Sequence, residues 1–168
     1  LPAYAQFVAD RSRVSSGADL EQSKQAFADG WVTRPAFLQL YPQGMTADQF
    51  VNKLFDTAQL VPYSSERQQA VQALTNNSKT RARVLRDVID FSEFKQREYN
   101  SAFVLMQYFG YLRRDPDAGG YNFWLDILNN VLPNDPGGYR SMVCAFITSD
   151  EYQNRFSSTH THSNSDCH

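Results

Sequence analysis

Hydrophobic positions recur with the spacing of α-helices along almost the whole chain. In the segment 47–58, Phe50, Val51, Leu54 and Phe55 stand at positions i, i+1, i+4 and i+5, which places them on one face of a helix. The alternation with a period of two that is typical of β-strands is absent over any useful length. The pattern therefore predicts an all-α fold.

Capping residues and breaks divide this pattern into about seven predicted helices. Thr46 and Gln49 form the Thr-x-x-Gln capping-box pattern that opens a helix at Ala47. Pro62 and the pair Ser64-Ser65 are predicted to separate this helix from the next one. The predicted helices cover residues 20–37, 47–58, 66–74, 80–112 with one break near Phe91-Ser92, 121–130 and 139–156.

Large apolar side chains in these helices also recur with a long period. One set of four side chains, at offsets 0, 4, 5 and 10, occurs three times at spacings of 57 and 58 residues: Phe27, Trp31, Val32 and Phe37; Val84, Val88, Ile89 and Phe94; Met142, Phe146, Ile147 and Tyr152. A second set is repeated without any change of offset: Phe50, Val51, Ala70, Val71 and Leu74 match Phe103, Val104, Phe123, Trp124 and Ile127. A period in this range is typical of helical repeats whose units bury their faces against one another.

The long period predicts a repeat-like bundle of two diverged helix–turn–helix units, preceded by part of a third. Residues 1–98 would hold the partial unit and the first repeat, residues 99–156 the second repeat, and residues 157–168 a polar tail. The chain looks like the end of a longer array. It begins Leu1-Pro2 without an initiator Met, so we expect a processed form or part of a longer protein.

The best-defined motif is a polar turn between two helices in the second unit. It reads Arg113-Arg114-Asp115-Pro116-Asp117. Pro116 disfavours helix at Asp115 and so ends the first helix. Asp117 can accept backbone N–H groups where the next helix starts. Arg114 is expected to bind Asp117 or a helix C-terminus.

Three residues after this turn are expected to serve packing. Gly119 and Gly120 offer conformations closed to other residues and allow the helices to approach closely. Trp124 is expected to pack on Tyr108 or Leu112.

A calcium site is the functional alternative for the same turn. Asp115, Asp117 and Asp126 fall at positions 1, 3 and 12 of an EF-hand-like loop, with Gly120 at position 6. Position 12 lacks the usual bidentate Glu, and two adjacent arginines would repel a cation. The sequence therefore favours a structural turn.

Composition and charge exclude several other functions. The net charge is −2 and no block of Lys and Arg is present, unlike the basic surface of a nucleic-acid binder. No apolar run approaches the roughly 20 residues needed to span a bilayer. No hydrolase, zinc-protease or phosphate-loop motif occurs, so we expect neither an enzyme nor a cofactor.

The last residues leave two questions open. Cys144 and Cys167 are either separate thiols or a disulfide that joins the tail to the last helix, which would place the protein outside the cytoplasm. His160 and His162, with Cys167-His168, could hold a soft metal, although an inert tail is the simpler interpretation.

A possible modification site lies in a loop of the first unit. Asn76-Asn77-Ser78 matches the acceptor pattern for N-glycosylation.

The segment Phe103 to Trp124 resembles a known bacterial family, domain-of-unknown-function family 4214 (DUF4214). That family combines an aromatic helix, a Leu-Gly-Arg-Asp-Pro-Asp-type turn and Gly-aromatic-x-x-Trp. It closes with Phe-x-x-Ser-x-Glu-(Phe/Tyr), matched here by Phe146 to Tyr152. Residues 25–98 resemble a diverged copy without the Asp-Pro-Asp turn, and Arg113 stands where the family usually has Gly.

The resemblance implies a helical module of secreted or surface proteins and brings no established activity. We therefore expect a non-enzymatic structural or interaction module that associates with itself, as in a surface layer or extracellular filament, or with another surface protein. Aromatic residues make up 14% of the chain, which suits such packing. The alternative is an extracellular module that binds glycans or calcium through residues between Tyr111 and Trp124.

Overall fold

The computed structural model of the chain describes residues 1–14, 16–61, 65–156 and 158–167, and every regular element in them is helical. The all-α prediction is thus confirmed. The described residues form ten α-helices: α1 (Tyr4–Arg11), α2 (Leu20–Trp31), α3 (Pro35–Leu40), α4 (Ala47–Thr57), α5 (Ser65–Thr75), α6 (Arg81–Asp90), α7 (Ser92–Gln107), α8 (Ala118–Asp126), α9 (Pro136–Ile147) and α10 (Asp150–Gln153).

The expected count of about seven helices was too low, because three short helices were missed or merged with a neighbour. α1 is only eight residues long, so its apolar pattern is too brief to stand out. Pro35 starts α3 as a separate helix, since its fixed φ suits the first helical position and it follows an extended Arg34. Ser149 is also extended and caps α10 by accepting the Tyr152 N–H at 3.2 Å.

Other predicted boundaries agree with the structure. The Oγ1 of Thr46 accepts the Gln49 N–H at 3.2 Å, and the Oε1 of Gln49 accepts the Thr46 N–H at 3.0 Å, so the predicted capping box opens α4. The break near Phe91 separates α6 from α7. The break predicted at Pro62 and Ser64 lies outside the described residues.

Two of the α-helices continue into single turns of π-helix. α7 runs on into Tyr108–Leu112, and α8 runs on into Ile127–Val131. Such turns carry one extra residue per turn and are often found at functional sites.

The chain forms two compact units. The N-terminal unit is Ala9–Arg97, and the C-terminal unit combines Leu1–Val8 with Glu98–His168. No helix in the described part of the chain has both the length and the apolar character needed to cross a membrane.

The core of the N-terminal unit is built on α4 and α6. Phe50, Val51 and Phe55 of α4 and Val84 of α6 are at most 1% exposed. The ring of Tyr41 stands edge-on to Phe50, with 5.6 Å between the ring centres. The apolar stripe that predicted α4 is therefore the centre of this unit.

Aromatic rings fill the core of the C-terminal unit. Tyr108 lies edge-on to Phe146 of α9, with ring centres 4.9 Å apart. Met142 and Leu128 are buried beside them. Phe7 of α1 packs on Phe109 at 5.0 Å, so the first residues of the chain complete this core.

Candidate functional site

The polar turn after α7 forms a sharp corner at residues 113–117. Arg113 ends the π-helical turn in the left-handed conformation, with φ 51° and ψ 42°. A left-handed residue is a common way to end a helix, although it costs an L-residue other than glycine roughly 1–2 kcal/mol. Arginine thus adopts at position 113 the conformation for which glycine is best suited.

Asp117 starts the helix that leaves the corner. Its Oδ1 accepts the backbone N–H of Gly120 at 2.7 Å, as a capping residue does. This hydrogen bond lowers the pKa of the Asp117 carboxyl below its ordinary value. α8 therefore begins at Ala118, three residues before the predicted start.

Arg114 ties the corner to α10. Its Nε and Nη2 donate to the two carboxylate oxygens of Glu151 at 2.8 and 3.0 Å, and its Nη1 donates to the Asp115 carbonyl at 2.9 Å. The guanidinium also lies 5.2 Å from the centre of the Tyr108 ring. The expected partner Asp117 is more distant, at 3.5 Å.

The two-point contact between Arg114 and Glu151 changes the acidity of both groups. Hydrogen bonding to Arg114 lowers the pKa of Glu151, and the same bond raises the pKa of Arg114. Burial raises the pKa of the Tyr108 hydroxyl beneath them. The corner therefore holds a charged pair over a neutral phenol.

The two glycines of the motif have different roles, and neither uses the conformational freedom expected from the sequence. Both lie in the first turn of α8, and the described glycine with a positive φ is Gly17. A Cβ on Gly120 would overlap the Tyr108 hydroxyl, so this position needs space. A Cβ on Gly119 would come no nearer than 3.5 Å to the Asp117 Oδ1.

The structure does not bring together the three acids of the alternative calcium loop. Asp115 accepts the backbone N–H of Tyr4 at 2.6 Å, and Asp126 accepts the Asn130 side chain at 2.7 Å. Because Asp117 opens a helix, Asp126 lies nine residues further along it, about 13 Å away at 1.5 Å per residue. Within the described residues no three His, Cys, Asp or Glu side chains are grouped to hold a metal.

Trp124 packs towards the core from α8. Its ring centre lies 6.2 Å from Phe146 and 5.2 Å from the exposed ring of Phe123. The sequence predicted Tyr108 or Leu112 as its partner, and both belong to the core cluster against which Trp124 packs.

A comparison with family models identifies the segment that contains this corner. Residues 89–156 match the model of a domain of unknown function, DUF4214. The chain contains a DUF4214 domain. No curated protein and no solved structure matches the chain. The matched residues extend from the end of α6 to just beyond α10.

A second arginine of the DUF4214 domain binds the helix end at the corner. Arg155 donates through Nη2 to the carbonyl oxygen of Leu112, the last residue of the π-helical turn. Arg97 does the same in the N-terminal unit, where it donates to the carbonyls of Ala58 and, at 3.2 Å, Gln59. Sequence reasoning missed both contacts, although the spacing of 58 residues between the two arginines equals the long period.

The tail that follows the DUF4214 domain is fastened to it by a disulfide. Cys144 and Cys167 are bonded, with Cα atoms 5.7 Å apart. The buried side chain of Gln153 also donates to the His162 carbonyl at 2.7 Å and accepts the Thr161 N–H at 3.1 Å. A covalent bond and a glutamine therefore hold the tail in place.

The two described histidines of the tail contact side chains of the same unit. His160 lies 2.9 Å from an Asp150 oxygen, and His162 lies 3.4 Å from Asp166. Cys167 is bonded to Cys144, and His168 lies outside the described residues. The suggested soft-metal site thus lacks its free thiol.

The possible glycosylation site is in an exposed turn. Asn76 follows α5, and its Oδ1 accepts the Ser78 N–H at 3.0 Å. The asparagine side chain stands at the surface of the N-terminal unit.

Proposed function

We propose that this chain is a non-enzymatic, secreted structural module that associates with copies of itself. The main support for the proposal is that charged side chains of the DUF4214 domain are bound within their own unit. Arg114, Asp115, Asp117 and Glu151 each bind a backbone group or another side chain of the same unit. Charged groups used in this way favour a rigid scaffold over a reactive centre.

We further propose that the chain consists of two diverged copies of one helical unit, preceded by part of a third. Extended residues with closely similar backbone angles separate three pairs of helices: Arg34 (φ −67°, ψ 142°), Phe91 (φ −61°, ψ 135°) and Ser149 (φ −66°, ψ 146°). Their spacings of 57 and 58 residues are those of the apolar repeat.

Two helix ends support the same proposal: the one before the DUF4214 corner, and the one that ends α4 at the corner of the N-terminal unit, which begins at Ala58. Gln59 and Arg113 are both left-handed, with φ values of 49° and 51°. Arg97 and Arg155 donate to carbonyls at these helix ends. Left-handed residues are common at helix ends, so the stronger support comes from the two arginines, whose separation of 58 residues equals the long period.

Secretion is supported by the cysteines and the glycosylation pattern. Disulfides persist in oxidising compartments and are rare in the cytosol. Cys144 and Cys167 form such a bond, and Asn76 is exposed for a sugar. We therefore propose that the module works outside the cell.

Self-association is supported by the repeat and by the surface. Helical repeats stack on neighbours, and their end faces accept further units. Tyr99, Phe123 and Phe156 keep more than half of their residue surface exposed. Size-exclusion chromatography and electron microscopy of the purified chain test this proposal: assemblies are expected, and a monodisperse monomer at high concentration would contradict it.

A glycan-binding module is the second candidate, because Phe123 exposes an aromatic ring beside Trp124 within the DUF4214 motif. Thermal melts with polysaccharides test this candidate, since a ligand of the native state raises the midpoint. A Phe123→Ala variant should lose any such rise. An unchanged midpoint with every polysaccharide would count against glycan binding.

A further inference from the structure

The N-terminal unit contains an open cavity at its own corner, between α4 and the start of α7. The cavity has a volume of about 440 Å³. The rings of Phe55 and Phe91 and the side chain of Leu60 form apolar walls, and Glu66 and Glu93 supply carboxylates. The described lining residues include no basic side chain.

The corresponding place in the C-terminal unit is filled by a guanidinium. Arg114 directly follows the left-handed Arg113, and it binds Glu151, the second residue of α10. In the N-terminal unit Leu60 directly follows the left-handed Gln59, and Glu93 is the second residue of α7. Glu93 thus corresponds to Glu151, and Leu60 corresponds to Arg114. The N-terminal unit therefore has a leucine where the C-terminal unit has the arginine that binds the glutamate.

Glu93 is the carboxylate left without a counter-ion by this replacement. Within the described residues it has no hydrogen bond or ion pair. The nearby acids differ in this respect: Asp87 pairs with Lys79 at 2.7 Å and Asp90 with Lys95 at 2.8 Å. The cavity therefore combines aromatic walls with an unpaired negative charge, a setting that suits a guanidinium.

The arginine already present at this corner leaves room for a second one. Arg97 donates to the carbonyls of Ala58 and Gln59, as Arg155 does to the carbonyl of Leu112. In the C-terminal unit Arg155 and Arg114 occupy one corner together, both within 4 Å of Glu151. Among its described residues, the N-terminal unit has a counterpart of Arg155 at this corner and none of Arg114.

Arg113 is the arginine best suited to enter such a cavity. It is exposed at the tip of the C-terminal corner, and within the described residues it has no hydrogen bond or ion pair. It also holds a left-handed conformation that disfavours a residue with a Cβ. An exposed, unpaired cation on a strained backbone is available to contact a partner.

We infer that the cavity of Phe55, Leu60, Phe91, Glu66 and Glu93 receives the Arg113 guanidinium of a second copy of the chain. This inference rests on the proposed self-association and names its contact. Because the corner tip and the cavity are different surfaces, each copy can offer its tip to one neighbour and its cavity to another. Such a head-to-tail contact builds open chains unless the rotation happens to close a ring.

Exchange of the two charges tests the contact. Glu93→Arg and Arg113→Glu each place like charges together and should weaken association at least tenfold in sedimentation equilibrium. The double variant E93R/R113E restores opposite charges in reversed order and should recover association. Arg140→Glu removes another exposed arginine and changes the net charge by the same amount as Arg113→Glu, so it should behave as the wild type.

Two controls keep this test decisive. Glu93→Gln removes the charge without reversing it and should also weaken association, and far-UV circular dichroism shows whether each variant is folded. If the wild type associates and the folded single variants associate equally well, the inference is wrong while self-association stands. If the double variant stays dissociated, the inference is also wrong. A wild type that is monomeric at every concentration overturns the proposed function together with the inference.

Discussion

At the scale of single residues, backbone strain is found at two helix ends. Arg113 and Gln59 end their helices in the left-handed conformation, at φ 51° and 49°. Neither residue adopts this backbone conformation as easily as glycine does. Arginine at position 113 therefore lowers local stability relative to glycine and places a cation at the surface.

Arg113→Gly should raise the free energy of unfolding by about 0.5–1 kcal/mol, since relief of the left-handed strain outweighs the added entropy of the unfolded chain. Gln59→Gly is the matched change in the N-terminal unit and should give a similar gain. Urea denaturation at low protein concentration measures both. A loss of stability in Arg113→Gly would show that the side chain makes stabilising contacts within its own chain.

Substitution by alanine is expected to have opposite effects on stability at Gly119 and Gly120. Gly120→Ala should lower the free energy of unfolding by about 1–3 kcal/mol, because its Cβ would overlap the Tyr108 hydroxyl. Gly119→Ala should be neutral or stabilising, since the added methyl meets nothing closer than 3.5 Å and alanine favours helix.

The same denaturation experiment shows whether Gly120→Ala is destabilising because of a steric clash or because of the backbone conformation at position 120. Tyr108→Phe removes the hydroxyl, so the loss caused by Gly120→Ala should shrink in that background. An undiminished loss would mean that the clash with the Tyr108 hydroxyl is not the cause.

At the scale of helices, the pair Arg114–Glu151 joins the corner to α10. Hydrogen bonding to Arg114 lowers the pKa of Glu151 from its ordinary value of 4.5. A carboxyl whose pKa is lower in the folded state stabilises the fold above its unfolded pKa. That contribution is lost as the pH falls through the folded pKa.

Stability of the C-terminal unit should therefore fall as the pH drops below about 4.5, and the fall should be shallower in Glu151→Gln. Arg114→Met removes the other partner and should flatten the same part of the curve. Each unit holds one tryptophan, Trp31 or Trp124, so fluorescence in a Trp31→Phe background reports the C-terminal unit alone. Equal pH slopes in wild type and Glu151→Gln would contradict this account.

Helices with long apolar faces and strong caps could be predicted from the sequence. α4 is the best example, because Thr46, Gln49 and four apolar residues all indicate the same helix. The cap at Asp117 was equally readable, since Pro116 and the acidic side chain act on their immediate neighbours. Neighbouring residues determine these features, so they can be predicted from a single sequence.

Contacts between distant residues could not be predicted in the same way. Arg114 binds Glu151, which lies 37 residues later, and nothing near Arg114 in the sequence indicates that choice. The extended residues Arg34 and Ser149 were missed because apolar periodicity continues across them. Pro35 was a usable signal for the first of these breaks, since proline commonly starts a helix.

At the scale of the whole molecule, the tail is joined to the C-terminal unit by Cys144 and Cys167, which are 23 residues apart. Replacing both cysteines with alanine should lower the free energy of unfolding by about 3 kcal/mol, the loop-closure value for this separation. Urea titration followed through Trp124 in the Trp31→Phe background measures the change.

Reduction of the intact chain serves as the control for this prediction. A reducing agent should destabilise the chain to a similar extent and should leave the double-alanine variant unaffected. An unchanged midpoint in both the variant and the reduced chain would mean that Gln153 and its neighbours hold the tail without the disulfide.

The proposed self-association is a property of the whole molecule, and sedimentation equilibrium of the wild-type chain over a wide concentration range measures it. The average mass is expected to start near the monomer value of 19.2 kDa and to rise past that of a dimer, as head-to-tail contacts add further copies. A mass that stays at 19.2 kDa up to the highest concentration would contradict the account.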